Sequence, residues 1–102
     1  MVHICTYNSD VGFEWNREKA RANLRKHGVD FAEVAEVFED PHAMTRPDED
    51  PDEERSISIG NDGLGRVVVV CWTWRDDDIQ IISARKATRR EREQYEEGRR
   101  DA

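Results

Sequence analysis

Apolar residues follow two different periods along this chain, and the change of period divides it. Between residues 13 and 38 they recur mostly at helical spacing; between residues 55 and 83 they come in alternating or continuous runs. Phe13-Glu14-Trp15 alternates and suits a short strand. Asn16 is a good N-cap for a helix over residues 17–27, with Trp15 before the cap and Ala20 after it placed as a hydrophobic staple. Gly28 supplies the left-handed position that commonly ends a helix. Asp30 and Glu33 form a capping-box pair for a second helix, whose apolar face is Phe31, Val34, Ala35 and Phe38. Asp40-Pro41 ends it, because proline disfavours helical geometry in the preceding residue.

Strands are expected next. Residues 43–45 suit a short one, and residues 55–59 alternate with Ile57 and Ile59 on one face. Gly60-Asn61-Asp62-Gly63 has strong turn chemistry. Residues 66–74 hold four consecutive valines, then Cys71, Trp72 and Trp74, a strand covered on both faces. Residues 75–78 turn, and residues 79–83 form a further strand. Thr88 and Glu91 make a second capping box for a helix over about residues 89–97, with Gly98 past its end. The order predicts an α+β fold: two N-terminal helices, a three- to four-stranded antiparallel sheet and a C-terminal helix. Residues 1–12 lack a period and read as a flexible N-terminal extension; residues 13–98 form a single domain and 99–102 a tail.

Composition narrows the class. With 102 residues, 36% hydrophobic and 38% charged, the chain holds one small domain whose core comes from a few segments. There is no apolar run long enough for a bilayer and no leader pattern, so cytoplasmic residence without membrane association is expected. Two cysteines, Cys5 and Cys71, make no disulfide framework, and Cys71 reads as a reduced, buried thiol. No spacing among His3, His27, His42 and the cysteines suits a metal, so metal catalysis and cofactors are not expected.

Charge alters the picture more. The chain is acidic, with a formal net charge of -7, yet five basic residues crowd 85–92 against Glu91 alone. Five more lie in 17–26 against one acid, whereas 30–54 carries eleven acids against Arg46. Guanidinium groups at a strand–helix junction can hold phosphate through paired, charge-assisted hydrogen bonds, which points to RNA. Arg85, at the end of the last strand, is the leading candidate, with Arg89 in the first helical turn beside it; surface pairing with Glu91 or Glu93 is the plainer role. Arg90, Arg92, Arg99 and Arg100 read as a solvated face laced with glutamates. For proton transfer His27 is the natural group, although a histidine at a helix C-terminus equally caps carbonyls. Lys26, Lys86 and Tyr95 are further catalytic candidates; Tyr95 at helical spacing also suits packing. Arg55 could share a concave surface with Arg85, and Trp74 could stack a base, although tryptophans on a small sheet are more often core.

These residues resemble a known family. Phe13-Glu14-Trp15, then Asn23-Leu24-Arg25-Lys26-His27-Gly28-Val29-Asp30-Phe31 and Val37-Phe38-Glu39-Asp40-Pro41, look like the first half of the BrnT toxins; Ile81-Ile82-Ser83-Ala84-Arg85-Lys86-Ala87 with Arg90-Glu91-Arg92 and Tyr95 looks like the second. The resemblance implies a type II toxin–antitoxin toxin with a RelE-like fold that cleaves RNA without metal and inhibits translation. It also implies neutralisation by a BrnA-like antitoxin protein, with operator DNA bound only through the complex. The acidic loop over 48–54 and the first dozen residues are not part of that pattern. The competing reading is a non-catalytic binding module or co-repressor, since a net charge of -7 repels RNA at long range.

Overall fold

The structure, a computed structural model, describes residues 2–6, 12–49 and 54–100. In chain order it contains β1 (Val2–Thr6), β2 (Gly12–Asn16), α1 (Arg17–His27), α2 (Phe31–Val34) running on as a 3-10 segment (Ala35–Glu39), β3 (Met44–Pro47), β4 (Ser56–Asn61), β5 (Val67–Arg75), β6 (Asp78–Lys86) and α3 (Arg89–Arg100). The strands form one sheet in the order β1-β2-β6-β5-β4-β3. The α+β class is as expected, but the sheet has six strands rather than three or four, and it is mixed. β2 lies parallel to β6, with Phe13 beside Ile79, and β1 adds an antiparallel edge to β2. The stretch read as an extension therefore includes an edge strand; residues 7–11 lie outside the described residues. Burial explains the insertion of β2. Phe13 and Trp15 are 3% and 7% exposed on its helix-side face, and on the other face Glu14 meets Arg75 at 3.4 Å.

The helix signals hold at α1. Asn16 accepts from the Lys19 N–H at 3.0 Å, and Gly28 ends the helix at φ 70°, its N–H bonded to the Leu24 carbonyl. The second helix departs from expectation. It is α-helical for one turn only, and Asp30 caps the Ala32 N–H instead of reciprocating with Glu33. The reason lies in the spacing: Phe31, Val34 and Val37, three apart, are all fully buried, and this is the three-residue repeat of a 3-10 helix. α3 also runs farther than expected, through Gly98 to Arg100. Gly98 keeps a negative φ, and Arg99 and Arg100 in the last turn suit the negative end of the helix dipole.

One face of the sheet packs under α1, α2 and the 3-10 segment. Its core joins Phe13, Phe31, Val34 and Val37 to Val68, Val70, Trp72, Ile79, Ile81 and Ala84. On the other face a smaller cluster of Ile59, Val69 and Tyr95 seats α3, so the valine run is covered on both sides as its pattern predicts. A bulge in β6 governs what lies between. Cys71 pairs with Ser83 but Trp72 pairs with Ile81, which leaves Ile82 as the extra residue. Ile81 and Ala84 therefore both face the helices, and Ser83 and Arg85 turn to the opposite face.

Beyond the short parallel ladder, β6 is held to α1 by a side chain. Asn23 accepts from the Ala84 N–H at 3.1 Å and donates to the Val29 carbonyl at 3.0 Å, at a site 8% exposed. An Asn23→Ala variant orphans both backbone groups. Urea unfolding is expected to show a loss of about 2 kcal/mol; a loss below a few tenths would mean that water replaces the amide.

Candidate functional site

The uncovered part of the α3-side face forms a cavity of about 320 Å³ between β4, β5, β6 and the end of α1. Arg85, Arg55 and His27 line it, with Cys71 and Ser83 in the wall and Asp48 at the side of Arg55. Each reaches it for a local reason. Arg85 and Ser83 follow the bulge; Val69 and Cys71 are the alternate positions of β5 that do not enter the helix-side core. His27 is half-buried on the last turn of α1, which runs alongside β6.

Arg85 is held in place. Its Nη1 donates to Glu91 Oε1 at 2.7 Å and its Nη2 to Oε2 at 3.0 Å, a two-pronged pair, and Nη1 also reaches the Lys86 carbonyl at 3.3 Å. Glu91 belongs at once to the helix cap: its Oε1 accepts from the Thr88 N–H at 2.8 Å, and Thr88 Oγ1 accepts from the Glu91 N–H at 3.2 Å. The capping box is the one expected from the sequence, and its carboxylate also aims the arginine. The hydrogen bonds from Arg85, aided by those from Thr88, hold Glu91 at about 2 against the upward push of burial, and Glu91 raises Arg85 in turn. The Nε–H of Arg85 and the remaining hydrogen of Nη2 have no protein acceptor among the described residues. Across the cavity, Arg55 Nε lies 3.4 Å from Asp48 Oδ2, and the Asp48 N–H bonds to the Arg55 carbonyl at 2.8 Å.

The remaining candidates fall elsewhere. Lys26 is exposed on α1 and does not line the cavity. Lys86 follows Arg85 on β6 and lines a different cavity. Arg89 is exposed and pairs with Glu93 at 3.2 Å. Trp74 is 57% exposed, but it stands on the helix-side face, edge-on to Trp72 at 5.5 Å, because both share the core parity of β5. Trp72 is core, with its indole N–H on Ser58 Oγ at 2.8 Å. Tyr95 is 1% exposed; its hydroxyl donates to Asp40 Oδ2 at 2.5 Å and accepts from Asn61 at 2.9 Å. Burial and the Asp40 carboxylate push its phenol up to about 12, so it stays protonated at neutral pH, and it does not line the cavity. Cys71 is half-buried in the cavity wall rather than fully buried, since α3 covers only the far end of that face. Asp48 was not singled out by any pattern, being one acid in an acidic run.

A family model described as the ribonuclease toxin BrnT of type II toxin–antitoxin systems matches residues 15–91. The chain belongs to the BrnT family. A solved structure of the Brucella abortus ribonuclease toxin BrnT, at 1.1 Å resolution, is 28% identical to it with a TM-score of 0.61, over 74% of this chain and 94% of that one. No curated protein sequence matches. The BrnT match takes in every residue of the cavity and ends at Glu91, the carboxylate that fixes Arg85. β1 and the later turns of α3 lie outside it. Among the described residues no helix is long and apolar enough to cross a membrane.

Proposed function

We propose that this chain is itself an endoribonuclease, cleaving RNA without metal through attack of a 2′-OH on the adjacent phosphate. The observation that carries this reading is the convergence of Arg85, Arg55 and His27 on one cavity, with Arg85 aimed by Glu91. Charge grows on the non-bridging phosphate oxygens as the 2′-oxygen closes on phosphorus. The spare donors of Arg85 answer that charge, and Arg55 approaches from the other wall. His27 accepts the 2′-OH proton; the P–O5′ bond breaks, and the departing 5′-oxygen takes a proton from solvent. The products are a 2′,3′-cyclic phosphate and a free 5′-OH. In this reading the chain acts in the cytoplasm, halts translation and is neutralised by a BrnA-like antitoxin, with operator DNA reached only through that complex.

The test is incubation of purified chain with cellular RNA in excess EDTA, with and without ribosomes. Expected is multiple-turnover cleavage leaving cyclic phosphate ends. Absence of cleavage in both arms, from folded protein, would reject the enzyme. It would favour the non-catalytic binding module, which the net charge of -7 and the partnering of Arg85 by Glu91 also suit.

A further inference from the structure

Where β6 passes into α3 there is a second basic cavity, of about 530 Å³. Lys86, Arg92 and Arg66 bring its positive charge, Glu96 stands among them, and Val67 and Ala87 give it apolar floor. Lys86 and Arg92 are each the chain neighbour of a residue in the first site. Consecutive strand residues point to opposite faces, so Lys86 turns away from Arg85. Consecutive helix residues lie about 100° apart around the axis, so Glu91 reaches Arg85 while Arg92 lines the second cavity. The first turn of α3 thus stands between two cationic sites.

Their partners set these cations apart. Arg66 is a fixed rim: Nε and Nη2 bond Asp62 at 2.9 and 2.8 Å, and Nη1 bonds the Gly28 carbonyl at 3.1 Å. Arg85 and Arg89 have glutamates. Neither Lys86 nor Arg92 makes an ion pair or side-chain hydrogen bond among the described residues, although acids outnumber bases in the chain by twenty-three to sixteen. Lys86 lies near Gly28, at the end of α1, where a helix dipole favours a cation. Arg92 is exposed near the positive end of α3, where the dipole disfavours it, with Glu96 four residues on in the same cavity.

We propose that this cavity binds a backbone phosphate of the same RNA strand whose scissile phosphate lies at Arg85. The inference rests on the ribonuclease reading and extends it: the strand crosses the corner at Thr88, and the flanking phosphate sits between Lys86 and Arg92. Such contacts position the strand without reading its bases. Losing them raises KM and leaves kcat in place.

The experiment measures fluorescence anisotropy of 2′-O-methyl oligonucleotides, which resist cleavage, in a trinucleotide and a longer form across a salt series. Wild type should bind the longer one more tightly. The Lys86→Ala/Arg92→Ala double variant should lose that gain, about tenfold, and its slope of log affinity against log salt should fall by about 1.4, two contacts' worth. Arg85→Ala should weaken both lengths, and Arg92→Gln should raise KM several-fold at unchanged kcat on cleavable RNA. Circular dichroism checks the fold of each variant. Wild-type length gain and salt slope in a folded double variant would overturn this site while leaving the ribonuclease reading intact. A wild type that neither binds nor cleaves RNA would overturn both.

Discussion

Arg85→Ala is expected to lower RNA cleavage by a factor of about 10²–10³ while the protein remains folded. The side chain is 43% exposed and its removal opens no core cavity, so the loss falls on chemistry rather than on stability. Arg85→Lys should rescue little, because an ammonium cannot span both oxygens of Glu91 and still present a fork to phosphate. Glu91→Gln separates aim from charge: it keeps an acceptor for the Thr88 N–H but loses the paired carboxylate, and a drop of about tenfold in kcat is expected. Acid unfolding supplies an independent readout. Glu91 is held at about 2 in the folded chain, below the ordinary 4.5. Its contribution is therefore complete above pH 4.5 and fades as pH falls toward 2, and Glu91→Gln should remove that limb. Wild-type cleavage by folded Arg85→Ala would take this residue out of the mechanism.

Tyr95→Ala should cost about 3–5 kcal/mol of stability. Its ring anchors α3 among Ile59 and Val69, and its hydroxyl ties the helix to Asp40 and Asn61. Asp40 gathers the end of the 3-10 segment, β4 and α3 on one carboxylate, taking the Asn61 and His42 N–H groups at 2.9 Å each. Burial pushes Asp40 up, but the hydrogen bonds from Tyr95, Asn61 and His42 outweigh it and hold it below its ordinary value. Tyr95→Phe, which removes only the hydroxyl, should cost about 1–3 kcal/mol by leaving Asp40 and Asn61 short of partners. Since the phenol is raised to about 12 from 10, its contribution is complete below pH 10 and fades as pH rises toward 12. Urea unfolding at pH 7 and across the alkaline range checks both statements. A Tyr95→Phe protein as stable as wild type would show that the hydroxyl network adds nothing.

Local signals were the legible ones. Asn16, Gly28 and the Thr88–Glu91 box each declare their geometry within four residues, and α1 lies where they place it. Arg85 was legible too, as a cation where strand meets helix. Pairing was not. β2 finds β6 across 66 residues of chain and leaves no turn to announce it. The face of a side chain was half legible: alternation put Trp72 and Trp74 together, but only the packing of Phe38 against Trp72 shows that theirs is the helix side. The cavity itself draws on four elements and on a bulge at Ile82, and no single stretch of sequence encodes it.

The contact of β2 with β6 bridges residues 66 apart, as Gly12 and Asp78 show. So wide a span delays folding, because the loop must close before the contact is gained. As the chain grows from its N-terminus, the core around Phe13, Trp15 and Phe31 stays incomplete until Ile79 and Ile81 arrive. Arg85 and Glu91 come later still. A chain broken off before β6 therefore exposes apolar surface and lacks both Arg85 and Glu91, which makes it prey for proteases. The candidate site is assembled only once β6 and the first turn of α3 are in place.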